Sequence, residues 1–290
     1  MKLRTALRLG RVSNLPTVWT NVLSGSVLAG AGAIGAEFAV MLAAFSLFYT
    51  GGMFLNDAFD AAFDAAQRPE RPIPSGEVGR GEVYRWGYGM MAAGIALLAV
   101  VGLGMGARTG LLPAVAGLML AATITYYDWR HKGNVFSPVV MGLCRVLVYV
   151  GAGLCITRAL PDALWIGAAL MLCYLIGLTY IAKQENLGKV ESLWPLAFLA
   201  VPVAWGAWRA LAQPVTGAFW LLFSAWMLVA LWYLRRRAKG DIPRAVVSLI
   251  AGISLLDALL IAGAGSLALA VLALAGFGVT LFFQRYISGT

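Results

Sequence analysis

Apolar residues fall into ten segments of about 20 residues, the length that crosses a hydrocarbon core of about 30 Å. They span residues 16–35, 38–60, 83–105, 109–127, 135–157, 161–183, 193–211, 216–235, 244–263 and 265–284. Only the Gly-rich AGAGS at 262–266 separates the last two, so the pattern predicts nine or ten spans. Backbone polar groups in lipid must bond within their own segment. The pattern therefore predicts an all-α fold, a polytopic membrane helical bundle, with residues 1–290 as one transmembrane domain.

The composition agrees with a membrane location. Hydrophobic residues make up 61% of the chain and charged residues 12%, whereas about a quarter of the residues in soluble domains are charged. The first apolar segment has no clear small-residue cleavage site and further spans follow it, so we do not interpret it as a removable signal peptide. We expect an integral membrane protein in contact with membrane lipids.

Positive charge is distributed unevenly between the loops. If the N-terminus is cytoplasmic and ten spans follow, eighteen of the 22 Lys and Arg residues face the cytoplasm, as the positive-inside rule requires. The net charge of +9 then reflects topology and attraction to anionic headgroups, and no nucleic-acid partner is needed to explain it. We expect the bacterial cytoplasmic membrane, with the N-terminus on the cytoplasmic side.

Three carboxylates stand in NDAFDAAFD at the end of the second span, at Asp57, Asp60 and Asp64. Their spacing places them on one side of a helix within two turns. Like charges so spaced repel each other, and the helix dipole disfavours acids at a C-terminal end. A metal ion or a cluster of cationic side chains should compensate them.

The residues around these acids favour Mg²⁺ and a diphosphate. Hard oxygen ligands suit Mg²⁺, which binds through one or two carboxylates together with substrate phosphates. Arg68 and Arg71 follow in QRPERPIPSG, and their planar guanidinium groups match phosphate oxygens. The three prolines of this stretch favour an extended connection that holds the arginines at the mouth of the bundle.

The stretch NDAFDAAFDAAQRPERPIPSG resembles the first signature of the UbiA superfamily of intramembrane prenyltransferases. That signature reads N-D-x-x-D-x-x-x-D, then R-P-I-P-S-G, at the end of the second helix of nine. The resemblance implies that Asp57, Asp60 and Asp64 bind Mg²⁺ on an isoprenyl diphosphate, with Asp57 and Asp60 acting directly in catalysis. It also implies that Asn56 supports the metal and that Arg68 and Arg71 hold the diphosphate.

The family's second acidic signature, Y-A-x-x-D-x-x-x-D four helices later, is altered in this chain. The corresponding TYIAKQENLGK has Glu185 where the first aspartate is expected, and Gly188 and Lys189 where further acids are expected. Glu185 remains a candidate metal ligand. Either Lys183 or Lys189 supplies part of the charge that a second metal gives elsewhere, with Lys183 as a diphosphate contact, or catalysis is weakened. This variant resembles the EboC-like branch, for which the acceptor does not follow from the fold.

A third candidate stretch is YYDWRHKG at the end of the fourth span. The family commonly has a tyrosine here, with a basic residue four or five positions later. Tyr126 with Arg130 fits this spacing, as does Tyr127 with Lys132. We take Lys132 as a diphosphate contact and Tyr127 as a catalytic group near the allylic carbon, although an aromatic belt and positive-inside charge explain the same residues. His131 is expected to be solvated.

Arg145 and Asp257 stand out well inside predicted spans, where a charge costs about 2.5–3.5 kcal/mol on insertion scales and usually faces a bundle interior or a cavity. Asp257 is expected to pair with Arg145 as a structural link, and Arg145 alternatively points into the chamber. Asn14 and Asn21 either reach the pocket or, for Asn14 with Pro16 in the first turn, cap the first helix.

These features predict Mg²⁺-dependent transfer of an isoprenyl group from an isoprenyl diphosphate donor to an aromatic or other lipophilic acceptor within the membrane. The alternative is a non-catalytic relative that binds or transports a prenylated or aromatic lipid. The altered KQENLGK segment keeps that alternative open, whereas the intact acid cluster with RPIPSG argues against it. Metal-dependent release of diphosphate would separate the two hypotheses.

Overall fold

The computed structural model describes residues 1–183, 194–236 and 238–286, and regular structure within these ranges is entirely helical. The α-helices are α1 (Leu3–Leu9), α2 (Leu15–Leu28), α3 (Ala36–Gln67), α4 (Arg80–Gly104), α5 (Leu112–Arg130), α6 (Ser137–Ile156), α7 (Asp162–Lys183), α8 (Ala197–Ala212), α9 (Pro214–Arg236), α10 (Asp241–Gly263) and α11 (Leu267–Gln284). Short 3₁₀ turns, Val12–Asn14 and Trp194–Leu196, precede α2 and α8.

Each of the ten predicted apolar segments contains one helix, from α2 to α11. In the described ranges eight helices are long and apolar enough to cross a membrane, namely α3, α4, α6 to α11, with the 3₁₀ turn counted as part of α8. The last two segments are separate helices, because the chain turns at Gly265 with a φ of 89°. The prediction of an all-helical membrane bundle is confirmed. The predicted first span is shorter in the structure, since α2 has 14 residues.

The centre of the bundle is formed by α10 and α2. From Ala251 to Gly263 every residue of α10 is buried, as expected for a helix that is apolar on all sides. This helix packs against α2, α7, α9 and α11. Helix α2 also contacts α3, α6, α7 and α11, so this pair lies against most helices of the bundle, while α4 and α5 pack on α3 and α6.

Two glycines allow close helix contacts. A Cβ at Gly25 of α2 would stand 2.8 Å from the carbonyl oxygen of Tyr149 in α6. A Cβ at Gly51 of α3 would stand 2.7 Å from the carbonyl oxygen of Gly87 in α4. Small residues at such crossings let backbones approach closely within a membrane bundle.

The connection between α3 and α4 is a series of turns, and the expected extended connection is wrong. The amide of Arg71 donates to the carbonyl of Arg68 at 3.0 Å, and that of Ser75 to the carbonyl of Arg71 at 2.9 Å. Proline fixes φ but leaves ψ free to turn.

Thr5 and Arg8 of α1 each donate to the Glu77 carboxylate at 2.9 Å. The Thr5 bond, aided by the Arg8 charge, holds the pKa of Glu77 below its usual value.

Candidate active site

A cavity of about 850 Å³ opens between the helices where α3 and α5 end and α6 begins. One end is charged and the rest is mainly apolar. The charged end contains Arg11, Asp60, Asp64, Arg68, Arg71, His131, Lys132 and Lys183, and the apolar walls include Met53, Met141, Leu175, Leu178, Val246 and Ile253. Such a cavity can hold a molecule with an anionic head and a hydrocarbon tail.

The three acids of α3 differ in their surroundings. Asp60 and Asp64 line the cavity, whereas Asp57 is not part of its wall; Asp57 and Asp64 are both buried, at 6% and 2% exposed. Nη1 of Arg71 lies 3.1 Å from Oδ1 of Asp57 and 3.1 Å from Oδ2 of Asp64. Nη2 of Arg11 lies 3.2 Å from the same oxygen of Asp57. Asp57 therefore holds two arginines that face the cavity.

Arg11 was not predicted as a site residue. Its backbone is left-handed, with φ 41° and ψ 47°, a conformation that costs about 1–2 kcal/mol for residues other than glycine. Tyr49 donates a hydrogen bond to its carbonyl oxygen at 3.2 Å. This bend just before the Val12–Asn14 turn brings the guanidinium to Asp57.

Asp60 contacts two basic side chains that directly follow α5. Nζ of Lys132 lies 2.7 Å from Oδ1 and Nε2 of His131 lies 3.5 Å from Oδ2. The expectation that His131 is solvated is wrong, since its side chain is 18% exposed. Burial alone would lower the pKa of His131, but the hydrogen bond and charge of Asp60 outweigh burial and raise this pKa above its usual value.

Asn56 and Tyr127 also line the cavity. The amide of Asn56 donates to Oδ1 of Asp128 at 3.0 Å, which fixes the orientation of the amide. Asp128 is 4% exposed, and its other oxygen has no hydrogen-bond partner in the described part of the chain. Sequence reasoning missed Asp128, although an acid so near the end of an apolar helix is a usable signal. The Tyr127 ring stacks on His131, 5.1 Å between centroids.

The acids at the cavity wall fit a divalent cation that is shared with a phosphate group. Within the described ranges no group of three or more His, Cys, Asp or Glu side chains is arranged as a complete metal site. Mg²⁺ needs only one or two carboxylates when phosphates supply further ligands. In this structure the side-chain nitrogen of Arg71 lies beside Asp64 and that of Lys132 beside Asp60, where a metal ion would bind these carboxylates.

The altered second signature is described only up to its start. Nζ of Lys183 donates to the carbonyl of Asn134 and to Oγ of Ser137, both at 2.8 Å. It ties α7 to the start of α6 at the cavity wall. Glu185 and Lys189 lie outside the described residues.

Deeper in the bundle, Arg145 and Asp257 do not form the expected direct pair. Neither is part of any ion pair within 4.0 Å among the described residues. Arg145 donates to Oδ1 of Asn21 at 2.7 Å and to Oγ1 of Thr17 at 3.1 Å. The donors to Asp257 are Thr20 at 2.6 Å, Asn21 at 2.7 Å and the Tyr149 hydroxyl. Asn21 thus bridges the two charges, because its own two polar atoms satisfy one group each.

Asn14 stands at the N-cap position of α2, but its side chain makes no capping hydrogen bond. The capping hypothesis is therefore wrong. Its Oδ1 accepts a hydrogen bond from Nε2 of Gln284 in α11 at 3.2 Å, and the residue lines the cavity. Asn14 links the first and last spans of the described bundle.

Comparison with known sequences places the chain among prenyltransferases. A sequence profile of the UbiA prenyltransferase family matches residues 17–256. Digeranylgeranylglyceryl phosphate synthase of Methanopyrus kandleri is 30% identical over 72% of each chain. The enzyme of that name from Methanothermobacter thermautotrophicus is 37% identical over 40% of this chain and 44% of its own.

Solved structures share the fold at lower sequence identity. An apo UbiA homologue from Aeropyrum pernix K1 has a TM-score of 0.65 and 17% identity, covering 87% of this chain and 97% of that one. A UbiA homologue from Archaeoglobus fulgidus bound to DMAPP and Mg²⁺ has a TM-score of 0.54 and 15% identity, covering 91% and 99%. This integral membrane protein belongs to the UbiA prenyltransferase family.

Proposed function

We propose that this prenyltransferase uses Mg²⁺ to transfer an isoprenyl group from an isoprenyl diphosphate to a lipophilic acceptor inside the membrane. One observation carries the proposal. Acids and cationic side chains meet at one end of a cavity whose remaining walls are mainly apolar. The A. fulgidus homologue bound to DMAPP and Mg²⁺ supports the same donor class.

The side chains at the charged end have separate roles in this proposal. Arg11, Arg71 and Lys132 bind the diphosphate. Arg71 and Lys132 turn donors from Asp64 and Asp60 to phosphate oxygens, while Asp57 keeps Arg11 and Arg71 in place; planar or charged donors are well suited to such oxygens. Asp60 and Asp64 are the residues that would hold Mg²⁺. Asn56, whose amide is fixed by Asp128 at 3.0 Å, would offer its oxygen as a further ligand. Arg68 and Lys183 complete the positive rim of the cavity.

The reaction breaks the bond between the allylic carbon and the diphosphate oxygen, and the electron pair leaves with the diphosphate. When bound, Mg²⁺ would supply charge neutralisation for that leaving group. The arginines and Lys132 stabilise the same developing charge from fixed positions. Tyr127 faces the allylic carbon, and the apolar walls exclude water that would compete with the acceptor. The acceptor's nucleophilic atom bonds to the allylic carbon, and the acceptor releases a proton.

The acceptor is an aromatic compound or another lipophilic molecule. The synthases among the relatives are named for a glyceryl phosphate that carries isoprenoid chains, which adds a lipid with a phosphate group to the candidates. A non-catalytic lipid carrier is the weaker hypothesis, because it has little use for so many cationic groups beside acids.

The proposal places the active site on the cytoplasmic side and treats residues 1–290 as a single domain. The distribution of Lys and Arg supports this orientation. A bacterial cytoplasmic membrane stays a prediction, since the relatives come mostly from archaea.

Binding of a non-hydrolysable prenyl diphosphate analogue to detergent-purified protein tests the proposal. We expect saturable binding that requires Mg²⁺ and weakens at least about tenfold in Asp60→Asn and Asp64→Asn, as for loss of a charge-assisted contact. Asp162→Asn, at the opposite end of α7, is the matched control and should bind like the wild type. Absence of binding by folded wild-type protein would contradict the transferase proposal and favour the lipid carrier.

A further inference from the structure

Arg145 lies deep in the cavity, away from the charged end. It is eight residues into α6 from Ser137, about 12 Å along the helix axis. Its side chain lines the main cavity and also a second, smaller cavity of about 70 Å³ behind it. The smaller cavity is walled mainly by apolar side chains, including Phe45, Phe48 and Val148.

The guanidinium of Arg145 is held from one side by neutral groups. Its two hydrogen bonds go to the side-chain oxygens of Asn21 and Thr17, which leaves three of its five N–H groups outside these bonds. Among the described residues no carboxylate lies within 4.0 Å of it. The buried charge of Asp257 contacts the other polar atom of Asn21 and so stabilises the cation from behind without covering it.

Burying a guanidinium in this way, inside a membrane bundle and at a cavity wall, costs free energy unless a ligand accepts hydrogen bonds from its remaining N–H groups. We propose that Arg145 binds an anionic oxygen group of the acceptor, a carboxylate or a phosphate, and thereby selects acceptors that carry one. This inference rests on the proposed function. The donor diphosphate does not need Arg145, because Arg11, Arg71 and Lys132 serve it at the other end of the cavity.

Binding at Arg145 would also orient the acceptor. With its anionic group at the deep end, the rest of the molecule extends toward the charged end, where the allylic carbon lies. The Tyr49 ring stands 6.0 Å from the guanidinium, and Met53 and Met141 provide further apolar contacts beside it. Arg145 is thus assigned as a residue that determines acceptor specificity.

Four compounds test the assignment on purified protein saturated with the donor analogue and Mg²⁺. Two are anionic, 4-hydroxybenzoate and decyl phosphate. Two are their neutral counterparts, 4-hydroxybenzyl alcohol and decanol. We expect at least one anionic compound to bind about tenfold or more tightly than its counterpart, the preference of a charge-assisted pair. The compound that shows it identifies the source of the anion, an aromatic acid or a lipid phosphate.

The same titrations on variants locate the preference. Arg145→Met should remove it, and Arg145→Lys should retain only part of it, because a lysine lacks the planar fork. Asp257→Asn disturbs the same network but keeps the guanidinium, so it should retain the preference. If Arg145→Met does not yield monodisperse protein, the comparison of Arg145→Lys with Asp257→Asn decides.

Equal binding of anionic and neutral compounds by the wild type would overturn the assignment, as would an unchanged preference in both Arg145 variants. Binding of the donor analogue is measured in parallel and should change less than about threefold in Arg145→Lys, since this contact lies outside the donor site. If the wild type does not bind the donor analogue, the proposed function is refuted instead. Failure of the Arg145 assignment and failure of the proposed function are therefore distinguishable.

Discussion

Asp57, Asp60 and Asp64 have the same side chain and stand within two helical turns, yet their surroundings differ. Asp60 and Asp64 line the cavity, whereas Asp57 lies outside its wall and contacts both Arg11 and Arg71. A carboxylate that holds two guanidinium groups fixes where their remaining donors point. We therefore propose that Asp57 positions the two arginines, whereas the motif implies a metal ligand, and the Mg²⁺ dependence of Asp57→Asn distinguishes the two roles.

Asp57→Asn should weaken binding of the donor analogue about tenfold, because an amide holds the two arginines less firmly than a carboxylate. The Mg²⁺ concentration for half-saturation should stay near the wild-type value, whereas Asp60→Asn should raise it. Titration of Mg²⁺ at fixed analogue concentration measures both variants. If the Mg²⁺ concentration for half-saturation rises as much in Asp57→Asn as in Asp60→Asn, Asp57 is a metal ligand.

The local motif predicted a cationic cluster beside the acids, and Arg71 and Lys132 belong to it. Two other contributors, Arg11 and Asp128, could not be predicted from this motif. Arg11 reaches Asp57 across 46 positions of sequence, and Asp128 reaches Asn56 across 72. Such contacts depend on how α2, α3 and α5 pack, which hydropathy does not specify.

At the scale of helices, the lengths of the apolar segments predicted where the helices of the bundle lie. Ten apolar segments became α2 to α11 because each must satisfy its backbone internally. The connection 68–79 was mispredicted for a different reason. Its prolines restrict φ, but the choice between an extended chain and turns is made by hydrogen bonds and by contacts with α1.

Gly25→Ala should destabilise the protein by about 1–3 kcal/mol, the usual cost of overpacking. The added methyl would stand 2.8 Å from a backbone oxygen of α6, which cannot move aside as a flexible side chain can. Gly89→Ala in α4 is the matched control, since no atom of the described residues lies within 4 Å of the place that its methyl would take. Thermal unfolding in detergent measures both, and equal stabilities would contradict close contact between α2 and α6.

For the molecule as a whole, the charged end of the cavity and the connection 68–79 lie at one end of the bundle. The α6–α7 connection lies at the other, because α6 leads away from the cavity mouth and α7 returns to it. The positive-inside rule predicts that the cavity mouth faces the cytoplasm.

Single cysteines report this orientation. In a protein with Cys144, Cys155 and Cys173 replaced by alanine, Ser75→Cys should resist a membrane-impermeant maleimide in intact cells. Ala159→Cys should react, because it is exposed at the opposite end. After the membrane is permeabilised both should react. The reverse pattern would place the active site outside the cell.

The left-handed backbone of Arg11 costs stability, whereas its guanidinium contributes to the proposed donor site. Glycine adopts this conformation without steric strain, so Arg11→Gly would remove the backbone cost at this position. The same exchange removes a guanidinium from Asp57 and from the cavity wall. Attempts to engineer a more thermostable form of this enzyme should therefore select for turnover as well as for melting temperature.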